Sequence, residues 1–407
     1  MIKDERTTAQ QEGVLDGVRV LDFTTMMSGP YCTRLMADLG AEVIKVEAPG
    51  GDYIRMRVPL REGKSTYFAT LNCGKKSIQL DLKQEAAREA IKELVRKCDV
   101  LVENFRPGVM KRLGLDYETL SALNPKLVYC SISGFGQTGP WAQRSAYAPV
   151  LHAACGYDIS NADYQENLER PLKTGIFVAD VLGGSLAFGG IQAALVRATR
   201  TGRGELVDLS LMDSMLGMLI YETQAAQFPS DHKRPLYQPT RAKDGFILIA
   251  TVNQNNFEAL ARGTGHPEWL EDPRFSNASR GPNQGSSREH HWSELMALVD
   301  AWAGQYTAAE CEAILNDAGV PCSRYLNVRE AMDEPAVIAR GSFETIDDGA
   351  GAFRVPNPAF QYRHTQARAR DSVPALGEHT ASVLGEMLGY TPEQIAALGP
   401  RRDPVAA

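Results

Sequence analysis

Asp180 is the residue best placed to do chemistry. Between Lys173 and Arg197 it is the only charged side chain, with IFVA before it and VLGGSLAFGG after it. A carboxylate in such apolar company is costly to ionise unless it is hydrogen-bonded, and a partly desolvated carboxylate is a better nucleophile than a hydrated one. The structural alternative is a helix N-cap, in which the same oxygen accepts backbone N–H groups. Asp22, Asp208 and Asp213 also lie among apolar residues, so isolation alone does not single Asp180 out. The pairs Gly183–Gly184 and Gly189–Gly190 follow it. Each glycine inside a helix costs about 1 kcal/mol against alanine, so these positions serve either close packing or backbone access to a ligand.

Other chemistry is weakly signalled. The seven cysteines are scattered without a CxxC pair, and the seven histidines include no HExxH. His290 and His291 are adjacent and do not share a helix face. Neither a disulfide framework nor a metal site is expected. The first strand is followed by TTMMSGPY, not GxGxxG, and neither GxxxxGK[ST] nor GxSxG occurs. GFGQTGP (134–140) is a Gly-rich loop signal after a strand. Lys75, Lys76, Lys83, Arg106, Arg112 and Arg144 fall near expected strand ends. Such cations are either solvated or, when clustered, hold phosphates.

The elements that must position these residues alternate in type. Strand-like runs occur at 18–24, 41–47, 76–82, 99–105, 126–136 and 206–211, with helical patterns at 31–40, 85–97 and 178–200. Strands separated by helices imply parallel βαβ units and an α/β fold. The stretch 228–245 is Pro-rich and polar, a linker or active-site loop, and FILIATV (246–252) opens a second, smaller unit. Helices are expected near 256–265 and over 293–317, and an exposed loop over 272–290. The expected organisation is a loose tail at 1–14, a large domain of 15–225 plus 331–407, and a small domain of 226–330.

Bulk properties narrow the function. The chain has 407 residues and a net charge of −7, which argues against a general nucleic-acid binder. No run of about 18 apolar residues is apparent, so no membrane partner is expected. The polar N-terminus and unpaired cysteines suggest a cytoplasmic protein.

Long, ordered segments resemble the class III CoA-transferase (CaiB–BaiF) family from about residue 14 to 400. They are LDGVRVLDFTTMMSGPYCTRLMADLGAEVIKVEAPGGD, LNCGKKSIQLDLK, VENFRPGVMKRLGL, NPKLVYCSISGFGQTGP, TGIFVAD, TGRGELVDLSLMDS, DGFILIA, AGVPCSRYLNVREAMDEP and LGEHT. The resemblance implies a Rossmann-like large domain with an inserted smaller α/β domain and an interlocked homodimer. The substrates it implies are coenzyme A, as an acyl-CoA, and a small carboxylic acid, with no tightly bound cofactor and no metal. The family nucleophile falls on Asp180. CoA contacts fall on Met27, Ser28, Leu80, Asp81, Leu82, Lys83, Asn104, Phe105, Arg106, Arg112 and Tyr147. Under this reading, backbone N–H groups near Gly183 and Gly184 are candidate oxyanion donors.

The sequence departs from formyl-CoA-type members, which carry glutamine at the position of Met27, an arginine at that of Ala48, and a glycine loop where 228–243 has no glycine run. The acids exchanged are not readable; a dicarboxylate such as succinate, with Arg241 holding its distal carboxylate, is one expectation. Two alternatives remain. The same fold hosts 2-methylacyl-CoA racemases, whose histidine base would fall on Tyr147, with His152 a conceivable substitute. The second is a non-catalytic CoA-binding protein.

Overall fold

The computed structural model describes residues 13–165, 170–228, 237–251, 253–281 and 285–398. The expected tail thus lies outside the described residues apart from Gly13 and Val14, as does the middle of the 228–245 loop. Six strands form the main sheet: β1 (Arg19–Asp22), β2 (Glu42–Glu47), β3 (Lys76–Gln79), β4 (Val100–Glu103), β5 (Val128–Ser133) and β6 (Leu206–Ser210). Their order is β3-β2-β1-β4-β5-β6, and every pairing is parallel. Winding reverses between β1 and β4. In doubly wound sheets that is where a crevice opens beyond the carboxyl ends of the strands.

Successive strand residues serve two cores. Val20, Val43, Val100 and Val128 belong to one cluster, and Leu21, Ile44, Leu101 and Tyr129 to the other. Strands buried on both faces read as continuous apolar runs. Most strands are shorter than those runs, because residues such as Phe23 and Leu80–Leu82 leave the sheet to line the crevice.

The helices used below are α1 (Ser28–Asp38), α2 (Thr66–Asn72), α3 (Glu85–Val95), α4 (Ala148–Ala154), α5 (Tyr157–Asp163), α6 (Val178–Thr201), α7 (Leu211–Met218) and α8 (Thr380–Leu388). Helix α1 begins three residues before the expected start, and Pro30 lies in its first turn, where no ladder donor is required. Helix α6 corrects the expectation that no segment is long and apolar enough to cross a membrane, since Val178–Thr201 is. Yet Ala187, Ile191, Ala194 and Ala198 of α6 join the core cluster that also holds Met36 and Met215, so α6 is the core helix of that layer.

The chain divides into two compact units, Met1–Ile220 with Ile338–Ala407, and Tyr221–Val337. In the first, the C-terminal segment covers the edge strand β3. Ser77 carbonyl accepts from the His379 N–H at 2.8 Å, and the Gln79 N–H donates to Thr380 Oγ1 at 2.9 Å. An edge strand closed in this way offers no free ladder to another chain. A hairpin of β10 (Phe343–Asp347) and β11 (Ala352–Pro356) belongs to the same unit.

The second unit has a three-stranded sheet of β7 (Thr240–Arg241), β8 (Phe246–Ile249) and β9 (Cys322–Arg324), packed on Phe257, Leu260, Leu295, Trp302 and Leu315. The helical stretch expected over 293–317 is two helices, Trp292–Ala303 and Ala308–Asp317, the second begun by a Thr307/Glu310 capping box. The loop expected at 272–290 is partly buried. Phe275 enters the core and Arg288 stacks over Phe257, because short helical turns at Pro273–Phe275 and Ser287–His290 anchor it.

Candidate active site

Two helix N-termini converge on Asp180. Phe177 is the N-cap of α6 and supplies no side-chain cap, so Asp180 is the third helical residue and not the capping aspartate. Ser28, the first residue of α1, lies beside the Asp180 carboxylate, with its hydroxyl and backbone N–H near enough to lower the carboxyl's pKa. That N–H is one of the donors a helix leaves unpaired at its start, at the positive end of the macrodipole. Burial pushes the Asp180 carboxyl up to about 6, and the Ser28 hydrogen bonds pull the other way. At pH 7 about nine-tenths of the groups are ionised, so the site holds a poorly solvated, available carboxylate.

The glycines after Asp180 make this approach possible. A Cβ on Gly184 would stand 2.5 Å from the Ser28 carbonyl oxygen, and one on Gly183 would stand 2.1 Å from Leu211 Cδ2. Packing is therefore their role. The Gly183 and Gly184 N–H groups lie within α6, where they donate to carbonyls one turn back, so they are not the oxyanion donors the sequence suggested. The polar groups beside the carboxylate are those of Ser28.

Met27, N-cap of α1, gives its carbonyl to the Tyr31 N–H at 2.8 Å. Its side chain packs with Tyr31 and Tyr67 against Ile54, Phe68 and Leu71. Met26 before it is left-handed, with φ of 67°, and its N–H donates to Asp52 Oδ1 at 3.3 Å. A bulky residue in that conformation is held there by its surroundings. Tyr67 was not foreseen. Its phenol is pushed up to about 12 by burial, then by the negative charges of Asp180 and Asp52, while Arg57 opposes this. Tyr67 and Arg57 therefore lie within electrostatic reach of the site. The only local signal is a tyrosine in YFATLN.

A cavity of about 240 Å³ opens at the β1/β4 switch point. Leu80, Asp81, Leu82, Lys83 and Phe105 line it together with Phe23, Ala48 and Leu113. Asn104 stands beside it and is engaged by the fold. Its Oδ1 accepts from the Thr25 N–H at 2.9 Å, and its Nδ2 donates to the Thr25 carbonyl at 2.8 Å, tying the β1 and β4 loops together. Glu103 is pushed up to about 7 by burial, against hydrogen bonds from Ser131 and the Phe105 N–H. Arg106, Arg112 and Tyr147 are exposed and line neither this cavity nor the shell of Asp180.

The remaining sequence candidates have structural partners. Lys75 is fully buried, its Nζ 2.9 Å from Asp22 Oδ2 and bonded to Asn72, Thr33 and the Pro30 carbonyl, so it is not available to a phosphate. Lys76 pairs with Glu42 at 2.6 Å, and Arg144 stacks over Phe135 and Trp141. Asp208 accepts the Gln137 N–H from the Gly-rich loop with both oxygens, at 3.1 and 3.0 Å. Arg241 stacks over Phe246 in the second unit. His152 is fully buried on α4, and its Nε2 accepts from the Ala179 N–H at 3.1 Å. A ring nitrogen occupied in this way is not a free base, which removes it as the substitute for a racemase histidine.

A doubly wound sheet with a crevice at its switch point, and a poorly solvated carboxylate in the first turn of a helix, mark the candidate active site of an α/β enzyme. Comparison with known proteins identifies it further: residues 15–380 match the model of CoA-transferase family III, and the chain belongs to that family. It is 33% identical over 396 residues to the human succinyl-CoA:glutarate CoA-transferase, covering 94% of this chain and 88% of that one. It is 36% identical over 393 residues to the acetyl-CoA:oxalate CoA-transferase of Acetobacter aceti, covering 94% and 98%. Among solved structures, a CaiB/BaiF family protein from Brucella suis superposes with a TM-score of 0.77 at 32% identity, covering 93% of this chain and all of that one. The CoA thioester substrate follows from the family.

Proposed function

We propose that the chain moves coenzyme A between carboxylic acids through a covalent aspartyl-CoA thioester on Asp180, with a dicarboxylic acid as at least one partner. The observation that carries this is the Asp180 carboxylate in the first turn of α6, brought against the start of α1 by the close approach of Gly184 to Ser28, in a chain of CoA-transferase family III. It attacks the thioester carbonyl of the donor, forming a mixed anhydride and releasing CoA thiolate. The thiolate attacks the Asp180 carbonyl, giving the enzyme thioester and freeing the first acid as its carboxylate. The carboxylate of the second acid then attacks the enzyme thioester, and the returning thiolate takes the acyl group, regenerating the Asp180 carboxylate. Each stage is an acyl transfer between activated carbonyls, so one difficult exchange becomes several easier ones. The Ser28 hydroxyl and N–H, beside the carboxylate, stabilise negative charge as it builds on oxygen.

The slot lined by Leu80–Lys83 and Phe105 suits the CoA nucleotide, with Asn104 holding its wall, and exposed Lys83, Arg106 and Arg112 are available to its phosphates. Binding that remote portion positions the reacting carbonyl. The dicarboxylate preference is supported by relatives named for glutarate, oxalate and citramalate and by Arg57 within reach of Tyr67. A second copy of the chain covers the outer face of α6, where Val181, Leu186 and Val196 are 40%, 48% and 58% exposed. In such a dimer, Tyr221–Val337 is a domain inserted into the large one.

Intact mass after mixing with succinyl-CoA tests the reading. The expected gain is that of CoA less one water, absent in Asp180→Ala. Failure of any of a broad set of acyl-CoAs to leave this adduct would overturn the covalent reading.

A further inference from the structure

The N-terminal turn of α6 is fixed by a polar relay that starts at a buried histidine. The first helical N–H groups need partners from outside the helix, and Phe177 at the N-cap offers no side chain for them. Ala179 finds its partner on α4: its N–H donates to His152 Nε2 at 3.1 Å. On the far side of the ring, Nδ1 is 3.2 Å from Thr174 Oγ1, and the Thr174 hydroxyl donates to Asp158 Oδ1 at 3.1 Å.

The directions of these bonds are determined by one group. A backbone N–H can only donate, so Nε2 must present its lone pair. The proton of the neutral ring is then on Nδ1, where it donates to Thr174, whose own proton goes to Asp158. Every donor has one acceptor, and the chain is consistent only for a neutral ring of that tautomer. The ring is fully buried and packs 5.2 Å from that of Tyr157. Burial lowers its basicity, opposed by Asp158, which favours the neutral form.

The next residue after Ala179 is Asp180. Its side chain lies beside Ser28, and the backbone immediately before it is held by His152. We propose that His152, as the neutral Nδ1–H imidazole, is a positioning residue that fixes the first turn of α6 and so sets the approach of Asp180 to the thioester carbonyl. This rests on Asp180 being the nucleophile. Displacing a reacting group by about 1 Å can reduce the rate a hundredfold. A substitution that keeps an acceptor at Nε2 should therefore preserve the rate, and one that removes it should not. Glutamine can present its amide oxygen to the Ala179 N–H; leucine fills similar space and presents nothing.

The experiment uses the full-length enzyme as wild type, His152→Gln, His152→Leu and Thr174→Val. It follows the rate of aspartyl-CoA formation from succinyl-CoA by rapid quench and intact mass, the affinity for free CoA, and the ring ¹⁵N shifts of His152. The wild-type ring should show an unprotonated Nε2. His152→Leu should form the adduct about a hundredfold more slowly, with CoA affinity within about threefold of wild type, and His152→Gln should recover to within about tenfold. Thr174→Val, which removes the acceptor of the Nδ1 proton and so loosens the ring that holds the Ala179 N–H, and is a milder change should His152→Leu not fold, should slow the adduct several-fold. A protonated Nε2 in wild type, an undiminished rate in the leucine or valine variant, or a folded glutamine variant no faster than the leucine variant would each overturn the inference. Absence of an adduct in the wild type itself would overturn the nucleophile reading instead, while the ring shifts still report whether His152 accepts from Ala179.

Discussion

Replacing Asp180 by asparagine should abolish adduct formation and at the same time stabilise the fold at neutral pH. The carboxyl is raised from its ordinary 3.8 to about 6, chiefly by burial. Each pKa unit is worth about 1.4 kcal/mol, so the ionised form weighs against the folded state by at most about 3 kcal/mol above pH 6. Asp180 is partly exposed, and solvent screening reduces this to about 1–2 kcal/mol. The sign follows from proton uptake. Between pH 6 and 3.8 the folded chain holds a proton that the unfolded chain has released, so the penalty shrinks as pH falls and is gone only below about 3.8. Asparagine has no such charge, keeps the volume, and retains one oxygen to accept from Ser28. Urea unfolding should therefore show Asp180→Asn more stable than wild type by about 1–2 kcal/mol at pH 8 and by about half that at pH 5. Groups common to both chains cancel in the difference. A variant no more stable than wild type at pH 8, or a gain independent of pH, would refute the argument that the Asp180 carboxylate is held against a desolvation cost.

Three further outcomes follow from the same geometry. Gly184→Ala puts a methyl 2.5 Å from the Ser28 carbonyl oxygen and must force α1 from α6; a loss of about 1–3 kcal/mol by urea unfolding and at least a tenfold slower adduct rate are expected. Lys75→Met leaves Asp22 buried without its cation, which should cost about 3–5 kcal/mol, with part recovered in the Lys75→Met/Asp22→Asn double variant. Arg57→Ala should raise KM for a dicarboxylic acceptor about tenfold and leave that of a monocarboxylic acid within about twofold, as measured by steady-state CoA transfer; equal effects on both would remove Arg57 from acid recognition.

The strands were legible because a strand buried on both faces needs an unbroken apolar run whatever it packs against, as VRVLD and EVIKVE show. The alternation with helices fixed the parallel class, and the ordered motifs carried the family and pointed to Asp180. Helix α1 was placed too late because its start follows the left-handed turn at Met26, which is not visible in the local pattern. The loop at 272–290 looked exposed because its composition is polar, yet Phe275 and Arg288 are drawn under by the core of the second unit.

By itself the sequence determined which segments can be strands or core helices, since periodicity and apolar content act over a few neighbouring residues. It also determined that one carboxylate lies alone in an apolar helix. Only the tertiary structure decided what that carboxylate is. Ser28 comes to it from another helix, and Gly184 allows the contact. His152 holds the preceding N–H, and Tyr67 lies in its field. Lys75, which the sequence offered to a phosphate, is instead enclosed with Asp22. Desolvation and hydrogen bonding, which set a group's charge and reactivity, depend on neighbours distant in the chain, and packing alone selects them.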